Sequence, residues 1–162
     1  MNIYRFCFPL PAEETCTALA GLIAPFLRVP DVIVLRGDLG MGKTTLARAL
    51  IRQLVDLETD VPSPTFTLVQ TYDTPSGPLW HFDLYRLSSP HEVEELGWEE
   101  ALSAAITLVE WPERLGPLLP RDRLDIRLSM RGEGRQAGLE GHGSWAERLS
   151  TLASGRSFIH ES

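Results

Sequence analysis

The sequence predicts an α/β fold in which a mostly parallel central sheet, carrying one antiparallel hairpin, is flanked by helices. Two observations carry this expectation. The short apolar runs "VIVL" (residues 32–35) and "ITLVE" (106–110) are what strands buried on both faces look like, and a segment of helical period follows the first of them. Between those runs, "FTLVQTY" and "LWHFDLYRL" flank the breaker-rich "DTPSGP" and read as a strand pair joined by a turn.

Taken in order, "PAEETCTALAGLIAPFL" sets Leu19, Leu22, Ile23, Phe26 and Leu27 at helical spacing, with Pro25 bending or ending that helix in its last turn. The strand 32–35 leads into a glycine-rich stretch. After it, Leu46, Leu50, Leu54 and Leu57 outline one helix face. "VPSPT" (61–65) holds two prolines within three positions and must be a loop. In "SSPHEVEEL", Ser89 is a candidate cap, Pro90 suits the first helical position and Glu92 completes a capping box. The strand at 106–110 is followed by "WPERLGPLLP", a loop or short turn. "RLDIRLSM" alternates as a strand does, "RGEG" is a turn and "RQAGLEG" pairs back on it. Ser144 with Glu147 offers a second capping box for a terminal helix through Leu152.

A chain of 162 residues is sized for one domain, expected over residues 1–152, with 153–162 a flexible tail. It is 43% hydrophobic and 23% charged, ordinary for a globular protein, and no stretch has the roughly 18 apolar residues of a membrane span. The N-terminal segment lacks a long apolar core before a small-residue cleavage site, so a cytoplasmic protein is expected. Cys7 and Cys16 form neither a CxxC nor a disulfide framework. A net charge of -7 argues against general attraction to a nucleic-acid backbone, so any RNA is expected to be carried by a partner.

The chemistry concentrates in "LRGDLGMGKTTLARAL". Gly37, Gly42, Lys43 and Thr44 satisfy GxxxxGK[ST], and Gly40 adds further freedom for main-chain amides to turn inward. Glycines let the backbone approach an anion, the following helix aims its first amides at it, Lys43 brings a point charge, and Thr44 offers a hydroxyl to Mg²⁺. The expected fold is therefore P-loop NTPase-like. Such a loop needs a carboxylate near the metal. Glu110 follows the cleaner apolar run and is the better metal partner, unless it faces solvent; Asp83 could position Thr44, the metal shell or the attacking water, or pair with Arg86. "SPTFTL" (63–68) supplies the hydroxyls of Ser63, Thr65 and Thr67 where a γ-phosphate sensor could lie, and equally reads as a turn into a strand. His81 and Tyr85 alternate onto the side of Asp83 and are pocket or core residues, while Trp111 reads as a packing aromatic.

With "FPLP", "GDLGMGKTT", "VPSPTFTLVQTY", "HFDLYRL", "LVEWPERL" and "GEGR" in this order, the chain resembles the TsaE (YjeE) family of P-loop ATPases in bacterial threonylcarbamoyladenosine (t6A) synthesis on tRNA, from about residue 6 to 149. The "GLEGHGSW" segment and the residues beyond 150 fall outside the recognisable pattern, and Met41 is larger than the small residue expected in the loop. The resemblance implies ATP and Mg²⁺ as cofactors, with Leu39, Gly40, Met41, Gly42, Lys43, Thr44 and Thr45 around the phosphates. It implies Thr44 and Glu110 at the metal, and Lys43 and Asp83 in hydrolysis. The implied partner is the TsaB–TsaD heterodimer, which modifies adenosine 37 of tRNAs reading ANN codons; the ATPase would reset that complex, contacting tRNA only through it. A P-loop kinase acting on a small molecule or nucleoside is the alternative, with Arg114, Arg121, Arg123 and Arg127 as a candidate lid. A GTPase is disfavoured because an NKxD loop needs an asparagine and the chain has only Asn2.

Overall fold

The computed structural model describes residues 2–155. Its strands are β1 (Ile3–Leu10), β2 (Val32–Arg36), β3 (Val69–Thr74), β4 (Gly77–Asp83), β5 (Ile106–Glu110), β6 (Arg123–Arg131) and β7 (Gly134–His142). The helices are α1 (Glu13–Ile23), α2 (Lys43–Leu54), α3 (Trp98–Ala104) and α4 (Ser144–Ser154). All seven strands join one sheet in the order β1-β7-β6-β2-β5-β4-β3. The centre is parallel, as expected: β6, β2, β5 and β4 run in one direction. Both flanks are antiparallel, through β3/β4 on one side and β6/β7/β1 on the other: the β3/β4 and β6/β7 pairs agree with the sequence reading, and the pairing of β1 with β7 goes beyond it.

The apolar runs of β2 and β5 are buried because each serves two cores. Ile33 and Leu35 of β2, with Leu108 of β5, face α1 and α2 and pack with Leu19, Ile23, Leu46 and Leu50. Val32, Val34 and Val109 face the opposite layer with Phe82, Val93, Trp98 and Leu115. Truncating any of these fully buried leucines should cost about 2–5 kcal/mol. This central anchoring holds the loop after β2 on a rigid base.

Several local expectations are corrected. The edge strand β1, assigned to no element from sequence, buries Phe6, Phe8 and Leu10 on one face, with Pro9 tolerated because its neighbour lies on one side only. Helix α2 stops at Leu54, so Leu57 is exposed and extends no helix face. The strand expected over 66–72 begins only at Val69, because Leu68 adopts a left-handed conformation and donates its N–H to Pro64 O, closing a turn. The strand expected over 79–87 ends at Asp83. Pro90–Leu96 forms a 3₁₀ segment: Ser89 makes no side-chain cap, and Glu92 instead accepts from the Ser88 N–H at 3.1 Å. At α4, Gly143 occupies the cap position, and Ser144 donates its N–H and hydroxyl to Asp122 rather than forming a box with Glu147. That helix continues two residues past Leu152; the tail expected beyond it lies, from residue 156, outside the described residues. Among the described residues no helix is long and apolar enough to cross a membrane.

Candidate functional site

The glycine loop spans residues 37–42, between the end of β2 and the start of α2. Gly37 has φ +146°, and a Cβ there would lie 2.8 Å from the carbonyl oxygen of Leu128, so no side chain fits. Gly42, at φ +103°, turns the chain into α2, whose first amides have no intrahelical acceptors. A turn of left-handed glycines opening onto a helix N-terminus is an anion-binding concavity.

Lys43 opens α2 and is buried. Its Nζ donates to the carbonyls of Gly37 at 2.5 Å and Asp38 at 3.0 Å, and lies 4.1 Å from the centre of the Trp111 ring. Burial holds its pKa below the usual lysine range, against the pull of Glu110, Glu113, Asp38 and Asp83. The next residue, Thr44, donates its hydroxyl to Glu110 Oε1 at 2.8 Å, so Glu110 faces the loop and not solvent. The other carboxylate oxygen, Oε2, accepts from His81 Nε2 at 2.7 Å.

Parallel register brings these groups together. Glu110 is the last residue of β5 and stands opposite Leu35 of β2 and Asp83 of β4, so three strands end side by side next to the loop. Asp83 is buried; its Oδ1 accepts from the Tyr85 N–H at 3.1 Å and its Oδ2 from the Thr65 hydroxyl at a long 3.4 Å. Burial is the main cause raising its pKa, outweighing those two hydrogen bonds. The alternative ion pair with Arg86 does not form: Arg86 stacks on the exposed ring of Phe66 at 4.7 Å. Of the "SPTFTL" hydroxyls, Thr65 reaches Asp83 and bonds Ser63, whereas Thr67 accepts from Gln70.

Gly42, Lys43, Thr44, Thr65, Asp83 and Glu110 line a cleft of about 430 Å³, together with Leu39, Gly40, Thr45, Tyr85, Arg86, Trp111 and Arg135. Met41 instead packs against the core. Trp111 both packs beside the second core and faces Lys43, so its packing assignment from sequence was half of its role. His81 is core and site at once, fully buried yet bonded to Glu110. Arg135 was missed: it reaches from β7 to donate to Met41 O at 3.0 Å, and its Nη1 occupies the space a Cβ on Gly42 would need. Its signal was present in the "GEGR" block. Of the four candidate lid arginines, Arg123 and Arg127 line a different hollow on the open sheet face, with Arg5 and Arg36.

The donor set suits a hard divalent cation. Ligands on adjacent corners of an octahedral Mg²⁺ lie roughly 3 Å apart, and Thr44 Oγ1 stands 2.8 Å from Glu110 Oε1. Among the described residues no group of three or more His, Cys, Asp or Glu side chains converges on a metal position. A cation here would need phosphate or water oxygens to complete its shell, which is how Mg²⁺ is commonly held.

The family model described as "Threonylcarbamoyl adenosine biosynthesis protein TsaE" matches residues 10–137. The chain is 44% identical over 121 residues to the tRNA threonylcarbamoyladenosine biosynthesis protein TsaE of Rickettsia bellii, covering 75% of this chain and 84% of that one. It is 39% identical over 122 residues to the TsaE protein of Bacillus subtilis, covering 75% of each. Its fold is similar to the crystal structure of Bacillus subtilis YdiB, with a TM-score of 0.76 and 28% identity over 99% of both chains.

Proposed function

Because the chain belongs to the TsaE family of threonylcarbamoyl adenosine biosynthesis proteins, we propose that it is a Mg²⁺-dependent ATPase and an accessory subunit in t6A modification of tRNA. Its expected partner is the TsaB–TsaD heterodimer, whose turnover the ATP cycle would reset. The observation that carries this proposal is the convergence at one cleft of the glycine loop, buried Lys43, the Thr44–Glu110 pair and buried Asp83.

In this reading the loop from Leu39 to Thr45 cradles the phosphates with main-chain amides, and Lys43 neutralises phosphate charge from a site that excludes water. Thr44 and Glu110 would hold Mg²⁺, which would supply positive charge to offset the negative charge of the phosphates. Asp83, whose carboxylate burial makes more basic, uses its loosely engaged Oδ2 to orient the attacking water and accept the proton that water gives up. The contact from Thr65 to Asp83 is the weakest in the set, so the segment around it is free to change when the γ-phosphate leaves and to alter the surface a partner meets. Arg123 and Arg127 stand apart from the cleft, while Arg114 lies 5.9 Å over the ring of Tyr85, so the kinase alternative is left without the full arginine lid it would need over an acceptor pocket.

Steady-state phosphate release, measured with and without purified TsaB–TsaD, tests the proposal. Hydrolysis that the heterodimer accelerates and that Lys43→Ala abolishes is expected. Hydrolysis indifferent to the heterodimer refutes the accessory role, and transfer of phosphate to a small acceptor refutes the ATPase assignment.

A further inference from the structure

His81 is fully buried on β4, and its imidazole bonds the carboxylate oxygen of Glu110 that Thr44 leaves free. A carboxylate can only accept, so the 2.7 Å contact fixes the proton on Nε2. Nδ1 is buried and has no hydrogen-bond partner. An orphaned buried polar atom costs about 1–3 kcal/mol; Tyr72, Thr107, Trp145 and Arg148 each carry one as well, so it is the bond to Glu110 that sets His81 apart. Leu79, two positions earlier on the strand, and Leu108, opposite His81 in register, are apolar and buried. A break with the local apolar rule that ends in one short bond to a site carboxylate points to function.

The two oxygens of Glu110 are divided between two partners, His81 on Oε2 and Thr44 on Oε1. With one oxygen held, the carboxylate cannot rotate freely, and the other stays directed at the Thr44 hydroxyl. Ordering a glutamate side chain otherwise costs on the order of 1–2 kcal/mol at the moment of binding. Outer partners of this kind orient the groups that hold a metal, and their loss typically weakens metal affinity by about 10- to 100-fold.

We propose that His81 is a positioning residue that locks Glu110, through Nε2, in the orientation that receives Mg²⁺ together with Thr44. The inference rests on the proposed metal role of Thr44 and Glu110. Calorimetric titration of ATP, in EDTA and across a Mg²⁺ series, tests it on wild type, His81→Leu, His81→Gln and His81→Asn, each checked for folding by circular dichroism. Glutamine can place an amide N–H where Nε2 stands; asparagine reaches only the position of Nδ1. Expected for His81→Leu is a loss of about 10-fold or more in the Mg²⁺-dependent tightening of ATP, with affinity in EDTA unchanged. Glutamine should restore most of the tightening and asparagine little. Should the leucine variant fail to fold, the comparison of glutamine with asparagine decides alone. Equal behaviour of those two, unchanged tightening in a folded leucine variant, or an equal loss in EDTA would each overturn the proposal. Wild type with no Mg²⁺-dependent tightening would instead refute the metal role of Thr44 and Glu110, and only the wild-type titration reports that outcome.

Discussion

Asp83→Asn is expected to stabilise the fold while removing hydrolysis. The carboxylate is buried, and burial raises its pKa more than the Tyr85 and Thr65 hydrogen bonds lower it. Asparagine keeps an acceptor for the Tyr85 N–H and turns an amide toward the Thr65 oxygen, so neither contact is sacrificed. What disappears is the cost of an under-solvated anion, on the order of 1 kcal/mol. For a chain of this size that corresponds to a rise in Tm of roughly 2–4 °C at neutral pH. The sign follows from linkage. With its folded pKa above the unfolded value near about 3.9, native Asp83 binds more protons than unfolded Asp83, so this residue's contribution falls as pH rises through that interval. The melting difference between variant and wild type should vanish in acid, grow as pH climbs past the folded pKa, and then level off. Scanning calorimetry between acid and mildly alkaline pH reads it, alongside phosphate release, which should drop by about 100-fold or more if Asp83 is the general base. A variant less stable than wild type at neutral pH, or a difference independent of pH, refutes the electrostatic account of Asp83.

Glu110→Ala should weaken Mg²⁺-dependent nucleotide binding more than Asp83→Ala, since Glu110 touches Thr44 and Asp83 does not; calorimetry with equal metal dependence in the two variants would remove the assignment. Far from the cleft, Arg148 clasps Asp31 through two bonds of 2.6 and 2.7 Å and donates to Phe26 O, with both charged side chains nearly buried. Arg148→Met should lower unfolding free energy by roughly 3 kcal/mol, read by urea denaturation, while leaving ATP affinity unchanged.

How much of this was legible in the sequence depended on the range of the interaction. The loop is local: Gly37, Gly42, Lys43 and Thr44 carry their geometry in their spacing, and the structure gives Gly37 and Gly42 the positive φ that glycine alone accepts readily. The strands β2 and β5 were legible because burial on both faces leaves an unbroken apolar run. Strand β1 was not, although Phe6, Phe8 and Leu10 alternate, because Pro9 is a strand breaker everywhere except at an edge, and edge position is a property of the sheet. The capping residues at Ser89 and Ser144 suited a cap by type, yet Asp122, 22 residues before Ser144, captured the second of them. Contacts across the sheet were beyond any spacing rule: Arg135 meets Met41 over a separation of 94 residues, and His81 meets Glu110 over 29.

The same register that builds the cleft also explains its electrostatics. Because β2, β4 and β5 are parallel and end together, the loop, Asp83 and Glu110 share the carboxyl end of the sheet, and side chains there are shielded from water by both cores. Lys43 is not joined to either carboxylate: its Nζ is bonded to the carbonyls of Gly37 and Asp38, which hold the loop closed around it. Cation and anions are thus kept apart in a poorly solvated site, and burial biases Lys43 and Asp83 toward their neutral forms. A self-contained salt bridge would satisfy these charges internally and leave little electrostatic free energy for anything else. Holding them apart costs stability within the chain, and it leaves Lys43 able to meet an anion and Glu110 a cation without first breaking a strong internal pair. The central strands, anchored in two cores, are what allow the fold to tolerate that cost.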